Sequence, residues 1–300
     1  MNNKNNPLLL RPSGKDYLWG GKRLNDEFAK GIPMSPLAET WECSVHPDGP
    51  SYVVNKEFEN KTLREVLEQH TEFLGTKHTN GFPLLIKFID AKEDLSIQVH
   101  PDDEYAFKYE NGERGKTEMW YVLDATKDAT LIYGLKRDIT KEELLKAITD
   151  NTLTKYLQYV PVKKGDVFFI EPGTIHAINA GALIVEIQES SNLTYRLYDY
   201  NRIDKNGKKR DLHIQKALNV ARLTKAIEPF QPMRVLKYEQ GKASELLCHS
   251  KYFEVYRMII NTERRQTVTY STDDLSFKVL LCVQGCGTIS YGNESMTFYK

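Results

Sequence analysis

The sequence predicts a mainly β protein, built as two small stacked barrels with helical insertions, and three observations lead there. Short runs rich in Val, Ile, Tyr and Phe recur along the chain, among them "LLIKFID", "MWYVLDA", "ATLIYGL", "DVFFIEP", "ALIVEIQ" and "YFEVYRMII". Gly, Asp, Asn or Pro bound most of them, as strands closing on turns require. Helical periodicity, by contrast, is confined to three segments. Finally, "VKKGDVFFIEPGTIHAI" and "VLLCVQGCGTISYGNES" both have the character of small-barrel strands joined by tight turns.

Taken in chain order, "SYVVNKEF" is the first strand candidate, and "TLREVLEQH" over about 61–70 is the first helix. The strands "LLIKFID", "MWYVLDA" and "ATLIYGL" follow. A second helix over 140–158 opens on a capping box, Thr140 with Glu143, and carries Leu144, Leu145, Ile148 and Leu153 near helical spacing. The strands "DVFFIEP" and "ALIVEIQ" come next, then a third helix over 211–223. A weakly patterned stretch with two prolines separates residues 1–235 from a second β block, 236–300, in which "QTVTYS", "FKVLLCV" and "GTISYG" read as further strands. The closing "SYGNESMTFYK" lacks the returning strand a barrel needs, so the second barrel is expected to be open at one edge or shortened.

Bulk properties exclude several function classes. Lys plus Arg and Asp plus Glu each total 41, and no basic run interleaves with aromatics, which argues against a nucleic-acid partner. No apolar run approaches membrane-spanning length, and the three leucines near the N-terminus end at Arg11 and Pro12, so a cytoplasmic protein without a membrane partner is expected. Cys43, Cys248, Cys282 and Cys286 form no CxxC pair and read as free thiols in a reducing compartment, a zinc site with His249 being the remote alternative.

The chemistry is carried by polar residues inside apolar strands. In "LSIQVHPDD", alternation puts Gln98 and His100 on one face and Ile97 and Val99 on the other. In "GKTEMWYVLDA", Glu118 shares a face with Trp120 and Val122, and a buried carboxylate requires a counter-charge, for which a metal ion serves. In "GDVFFIEPGTIHAI", a Gly165-Asp166 turn, a strand and a Pro172-Gly173 turn lead to His176.

This last arrangement resembles the second motif of the cupin barrels, in which the turn aims a metal-binding histidine inward. Gln98, His100, Glu118 and His176 then offer two imidazole nitrogens and two oxygens, a set that suits zinc and also admits iron, manganese or cobalt. Where a common cupin has HxH with a glutamate soon after, this chain has QxH with the glutamate further on. That combination, with "LWGG" at 18–21, "ETWECSVHPDGPS" at 39–51, "PLLIKFIDA" at 83–91 and "VEIQESSNLTYRLYDYNR" at 185–202, resembles the type I phosphomannose isomerase family over most of the chain.

The resemblance implies a single zinc ion and conversion of mannose 6-phosphate to fructose 6-phosphate through an enediol. That reaction needs a base, polarised C1 and C2 oxygens and a phosphate anchor. Glu186 in "ALIVEIQES" is the favoured base, with His46 in "SVHPDGPS" as its competitor and an ion pair with Arg196 or a lysine as the plainer role for Glu186. Lys87, Ser96, Lys116 and Arg196 map onto polar active-site positions of the family, arginine gripping phosphate through parallel hydrogen bonds and lysine acting as a point charge. Trp19, in a glycine-flanked loop, is the tryptophan expected to face the sugar, whereas Trp41 and Trp120 are expected in the core. "DYNR" at 199–202 belongs to the resemblance without a chemical task of its own. The second β block holds no comparable set of ligands and is expected to be a metal-free structural barrel. A monomer or weak homo-oligomer acting on a small-molecule sugar phosphate is the expectation. A non-catalytic sugar-binding cupin and a metal-dependent cupin oxidoreductase are the alternatives, since cupins host many activities.

Overall fold

Alternating side chains with two apolar faces to bury require layers on both sides of a sheet, and the chain supplies them. The computed structural model describes residues 6–204, 207–229, 231–263 and 267–300. An antiparallel six-stranded sheet runs in the order Val167–Ile170, Glu118–Ala125, Ala182–Glu189, Leu84–Asp90, Glu39–Cys43 and Ser13–Lys15. A five-stranded sheet runs in the order Tyr195–Tyr198, Ile97–Val99, His176–Ile178, Thr130–Leu135 and Leu157–Pro161. Ile89, Trp120, Val122 and Ile184 of the first sheet share one core with Leu131, Val160 and Ile178 of the second, so the two pack face to face. The result is the cupin-type β fold expected, as two facing sheets rather than a fully closed ring of strands.

Each sheet is also covered on its outer face. Ile86, Phe88, Met119, Tyr121, Val185 and Ile187 pack with Leu63, Val66 and Leu67 of the helix Leu63–Gln69. On the second sheet, Ile97, Val99, Ile132 and Ala177 pack with Leu144 and Ile148 of the helix Lys141–Thr149 and with Ala217 and Leu218 of the helix Ile214–Val220. Apolar residues on both faces explain why Leu84–Asp90 and Ala182–Glu189 are buried along their whole length. A charged side chain on an inner face there is consequently cut off from solvent.

The structure departs from expectation in three places. The second helix stops at Thr149, because Asn151 takes a left-handed backbone (φ 55°) that ends it, and Leu153–Tyr156 is a separate 3-10 turn. A helix at Asp103–Tyr109, not anticipated, is capped by Asp102, whose Oδ1 accepts from the Tyr105 N–H at 2.8 Å. In the C-terminal block the strands Lys237–Glu239, Lys242–His249 and Glu254–Ile260 form one sheet and Cys286–Tyr291 pairs with Glu294–Tyr299. Residues 267–285, expected to hold strands, have no regular structure. They extend along the first unit instead: Thr76 and Lys77 donate to the carbonyls of Asp274 and Leu275, and Phe277 packs on Phe82 with ring centroids 4.8 Å apart.

Candidate active site

The strand registers bring the polar residues into two facing rows. Across the first sheet, Trp120, Glu186, Lys87 and Trp41 lie side by side. Across the second, Arg196, Gln98, His176 and Tyr133 do the same. Residues directly opposite on neighbouring strands share a face, so both rows look into the space between the sheets. Ile97 and Val99 point the other way, into the outer core, as alternation requires.

His100, Glu118 and His176 converge at the bottom of this space, each almost wholly buried, with ligand atoms all within 4.8 Å of one another. Among the described residues this is the one group of three or more His, Cys, Asp or Glu placed to hold a metal ion; Cys248, His249, Cys282 and Cys286 do not form another. Each imidazole is fixed by its outer nitrogen: His100 Nδ1 donates to the Leu193 carbonyl at 2.7 Å and His176 Nδ1 to the Thr174 carbonyl at 2.8 Å. A carbonyl only accepts, so both rings carry their proton on Nδ1 and turn an Nε2 lone pair inward. These two lone pairs face each other at 3.1 Å. Burial, with Lys116 adding to it, lowers the pKa of both histidines, that of His176 to about 4, so neither ring relieves the encounter by taking a proton at neutral pH. Glu118 Oε1 lies 3.3 Å from His176 Nε2 and has no donor among the described residues, while the Lys116 ammonium stands 2.8 Å from Glu118 Oε2 and 3.3 Å from His100 Nε2. Lys116 supplies one cation here but leaves the His176 lone pair and Glu118 Oε1 without a donor among the described residues, and the set of two imidazole nitrogens and a carboxylate fits a divalent metal. Gln98, in register with His176, borders the same cavity.

Beside the cluster runs an alternating row of charge. Glu39 Oε2 is 3.8 Å from Lys87 Nζ, Lys87 Nζ is 3.2 Å from Glu186 Oε1, that oxygen is 3.7 Å from Lys116 Nζ, and Lys116 Nζ is 2.8 Å from Glu118 Oε2. Three carboxylates against two ammoniums leave one negative charge. The pair at the ends of Lys116 divides accordingly: burial and the neighbouring Glu186 raise Glu118, whereas Lys116 and Lys87 overcome the burial of Glu186 and hold it well below the usual carboxylate range. The Trp120 indole also donates to Glu186 Oε2 at 3.1 Å, so this tryptophan faces the cavity as well as the core.

The cavity has a volume of about 460 Å³ and is lined by Trp19, Lys87, Ser96, Gln98, Lys116, His176, Glu186 and Arg196 from the sequence-derived set. Trp19 is held there because Gly20 packs on Ala38, where an added Cβ would lie 2.4 Å from the alanine methyl. Lys116, which a loop position would ordinarily leave in water, is 3% exposed, its backbone N–H tied to the Pro101 carbonyl at 3.0 Å. His46 is not among the lining residues: it stands behind Trp41, ring centroids 5.8 Å apart, with Asp48 beside it. Glu39, Tyr17, Arg210 and His213 line the cavity without having been singled out from sequence. Glu39 carried a legible signal, a carboxylate two places from Trp41 in a strand.

Residues 8–115 match the family described as the phosphomannose isomerase type I catalytic domain. A putative mannose-6-phosphate isomerase of Bacillus subtilis, YvyI, is 38% identical over 98% of this chain and 90% of its own length. The chain belongs to the type I phosphomannose isomerase family. A mannose-6-phosphate isomerase of Streptococcus mutans is 39% identical over the same shares of the two chains. The crystal structure of a mannose 6-phosphate isomerase from Bacillus subtilis superposes on the chain with a TM-score of 0.87 at 36% identity, covering 98% of this chain and 91% of that one. Among the described residues no helix is long and apolar enough to cross a membrane. For a type I phosphomannose isomerase, the buried His-Glu-His cluster beside a polar cavity is the feature from which its chemistry must be derived.

Proposed function

We propose that this chain interconverts mannose 6-phosphate and fructose 6-phosphate in the cytoplasm, moving a proton between C1 and C2 of the open-chain sugar through an enediol at a zinc site. The single observation that carries this reading is the convergence of the inward lone pairs of His100 and His176 with Glu118, at the end of an alternating row of carboxylates and ammoniums that lines the cavity.

Gln98, His100, Glu118 and His176 would hold the cation, their two nitrogens and two oxygens suiting zinc. Bound there, it supplies Lewis acidity for the sugar's C1 and C2 oxygens. The chain's own residues do the rest. Glu186 remains ionised at neutral pH and lines the cavity, so it takes the proton from carbon, and its neighbour Lys116 shares in the transfer. His46, behind Trp41 and off the cavity wall, is the weaker claimant to that role. Arg196 anchors the phosphate: its Nε reaches Ser96 Oγ at 3.3 Å and its Nη1 the Asp211 carbonyl at 2.8 Å, which aims the guanidinium across the cavity. Lys87 and Lys116 add positive potential, and Trp19 offers its face to the sugar.

The reading is tested by incubating the purified protein with mannose 6-phosphate as isolated, after chelation, and after zinc is restored, while measuring fructose 6-phosphate. Product is expected in the first and third samples and not in the second. Undiminished product from protein shown by metal analysis to be stripped would overturn the metal role. No product from folded, zinc-loaded protein would overturn the reaction and leave a sugar-binding module.

A further inference from the structure

The "DYNR" stretch has a structural role that the reaction as derived so far does not use. Asp199, 5% exposed, accepts two hydrogen bonds from Arg210, Nε to Oδ2 at 2.8 Å and Nη2 to Oδ1 at 2.6 Å, and a third from Arg202 Nη2 to Oδ1 at 2.5 Å. One carboxylate thus holds two guanidiniums. The turn that makes this possible is unusual. The Arg202 N–H donates to the Asp199 carbonyl at 3.0 Å, and both residues between them, Tyr200 and Asn201, have a φ of 54°. Positive φ at both central positions is the signature of a type I′ turn, for which Asn-Gly is the natural choice, and a tyrosine there is strained. Backbone strain of this kind persists where the surroundings over-determine it. Here it folds Arg202 back onto Asp199, and the Arg202 guanidinium lies 5.2 Å from the Tyr200 ring centre.

Arg210 lines the same cavity as Arg196, and its charge, after burial, is what opposes the charge on Arg196. Left alone, Arg210 would swing toward solvent, since its side chain is 31% exposed. Asp199 prevents that while leaving Arg210 Nη1 without a hydrogen bond to any described residue, as is Nη2 of Arg196. We propose that Asp199 is a positioning residue for the substrate's phosphate, clamping Arg210 so that the guanidinium edge turned away from Asp199, with that of Arg196, forms a two-arginine anion site on the cavity wall. The inference rests on the isomerase reading above and adds Arg210 and Asp199 to it. A dianion bridging two held guanidiniums relieves their mutual repulsion, which is why the clamp favours phosphate over an uncharged sugar.

The test compares zinc-loaded wild type, Asp199→Asn, Arg210→Lys and the double variant. The measurements are kcat and KM for mannose 6-phosphate, the inhibition constant of inorganic phosphate, and urea unfolding of each protein. Each single variant is expected to raise both KM and the phosphate inhibition constant about tenfold, the scale of one charged hydrogen bond, with kcat within about twofold of wild type. The double variant is expected to be no worse than either single one, because Asp199 acts through Arg210. A folded Asp199→Asn with unchanged KM and phosphate inhibition overturns the proposal, as does an additive double variant. If Asp199→Asn does not fold, Arg210→Lys decides alone, and unchanged phosphate inhibition there overturns it. Should the wild type turn over no mannose 6-phosphate, the isomerase reading falls, and phosphate binding measured by calorimetry then judges the clamp: weaker binding in the variants supports it, equal binding ends it.

Discussion

At the residue scale, the decisive contrast is between two buried glutamates about one lysine apart. Glu118 faces two imidazoles that carry no charge and a single ammonium, Lys116 at 2.8 Å, whereas Glu186 lies between two ammoniums. Burial and Glu186 raise the first in spite of its lysine, so a divalent metal would keep it ionised, whereas the second stays ionised without one. The ammoniums that keep Glu186 ionised also weaken it as a base, so its place in the reaction rests on position, and a substitution isolates that contribution. Glu186→Gln keeps the volume and an acceptor for the Trp120 indole while removing the proton-accepting charge. It is expected to lower kcat by about 10²–10⁴-fold, the usual range for a general base, with a smaller change in KM. Steady-state kinetics with mannose 6-phosphate measures this, and a kcat within a few fold of wild type would move the base elsewhere in the row, to Lys116 first.

At the element scale, the site depends on how one turn locks two others. Gly173 has a φ of 83°, donates its N–H to the His100 carbonyl at 2.9 Å and accepts from the Arg222 N–H at 2.8 Å, just beyond the helix Ile214–Val220. An added Cβ would lie 2.8 Å from the Val220 carbonyl oxygen. Gly173→Ala therefore meets both a backbone penalty and a clash, and is expected to destabilise the fold by about 1–3 kcal/mol in urea unfolding while weakening metal retention, since His100 and His176 are both fixed through this turn. The glycine was legible in "EPGTIHAI", and so were Gln98 and His100, because period-two alternation in a buried strand makes a polar pair conspicuous. Glu118 stood out for the same reason. Lys116 was legible through the family resemblance alone, because what takes its loop out of water is tertiary: the N–H groups of Gly115, Lys116 and Thr117 donate to Asp103, Pro101 and Glu189. Arg210 and Asp199 were illegible as a unit because their contact is tertiary, made by a turn whose tyrosine hides its type. The early stop of the helix at Thr149 was missed for a smaller reason, one asparagine in the left-handed region overriding an apolar spacing that continued past it.

At the scale of the whole molecule, the two sheets are held together by a space that is apolar along most of its length and charged at one end. The charged end is unfavourable to close: it sets His100 and His176 Nε2 lone pairs against each other at 3.1 Å and carries three carboxylates against two ammoniums. Both sheets contribute to it, Glu118, Lys87 and Glu186 from one and Gln98 and His176 from the other. A divalent cation at the His-Glu-His cluster turns that net charge of one negative into one positive, and so links the sheets at this charged end while preparing the cavity for an anion. Metal that binds the folded chain and not the unfolded one stabilises by mass action, roughly 4 kcal/mol when the free metal is about a thousandfold above its dissociation constant. The thermal unfolding midpoint is therefore expected to fall by several degrees on chelation and to recover when zinc is returned. His176→Ala, which deletes one ligand and leaves a small buried cavity, is expected to start from a lower midpoint and to respond weakly to either treatment. Differential scanning fluorimetry of the two proteins, with metal content measured alongside, separates the cases: equal responses to chelation in wild type and variant would place the stabilising ion somewhere other than between the two sheets.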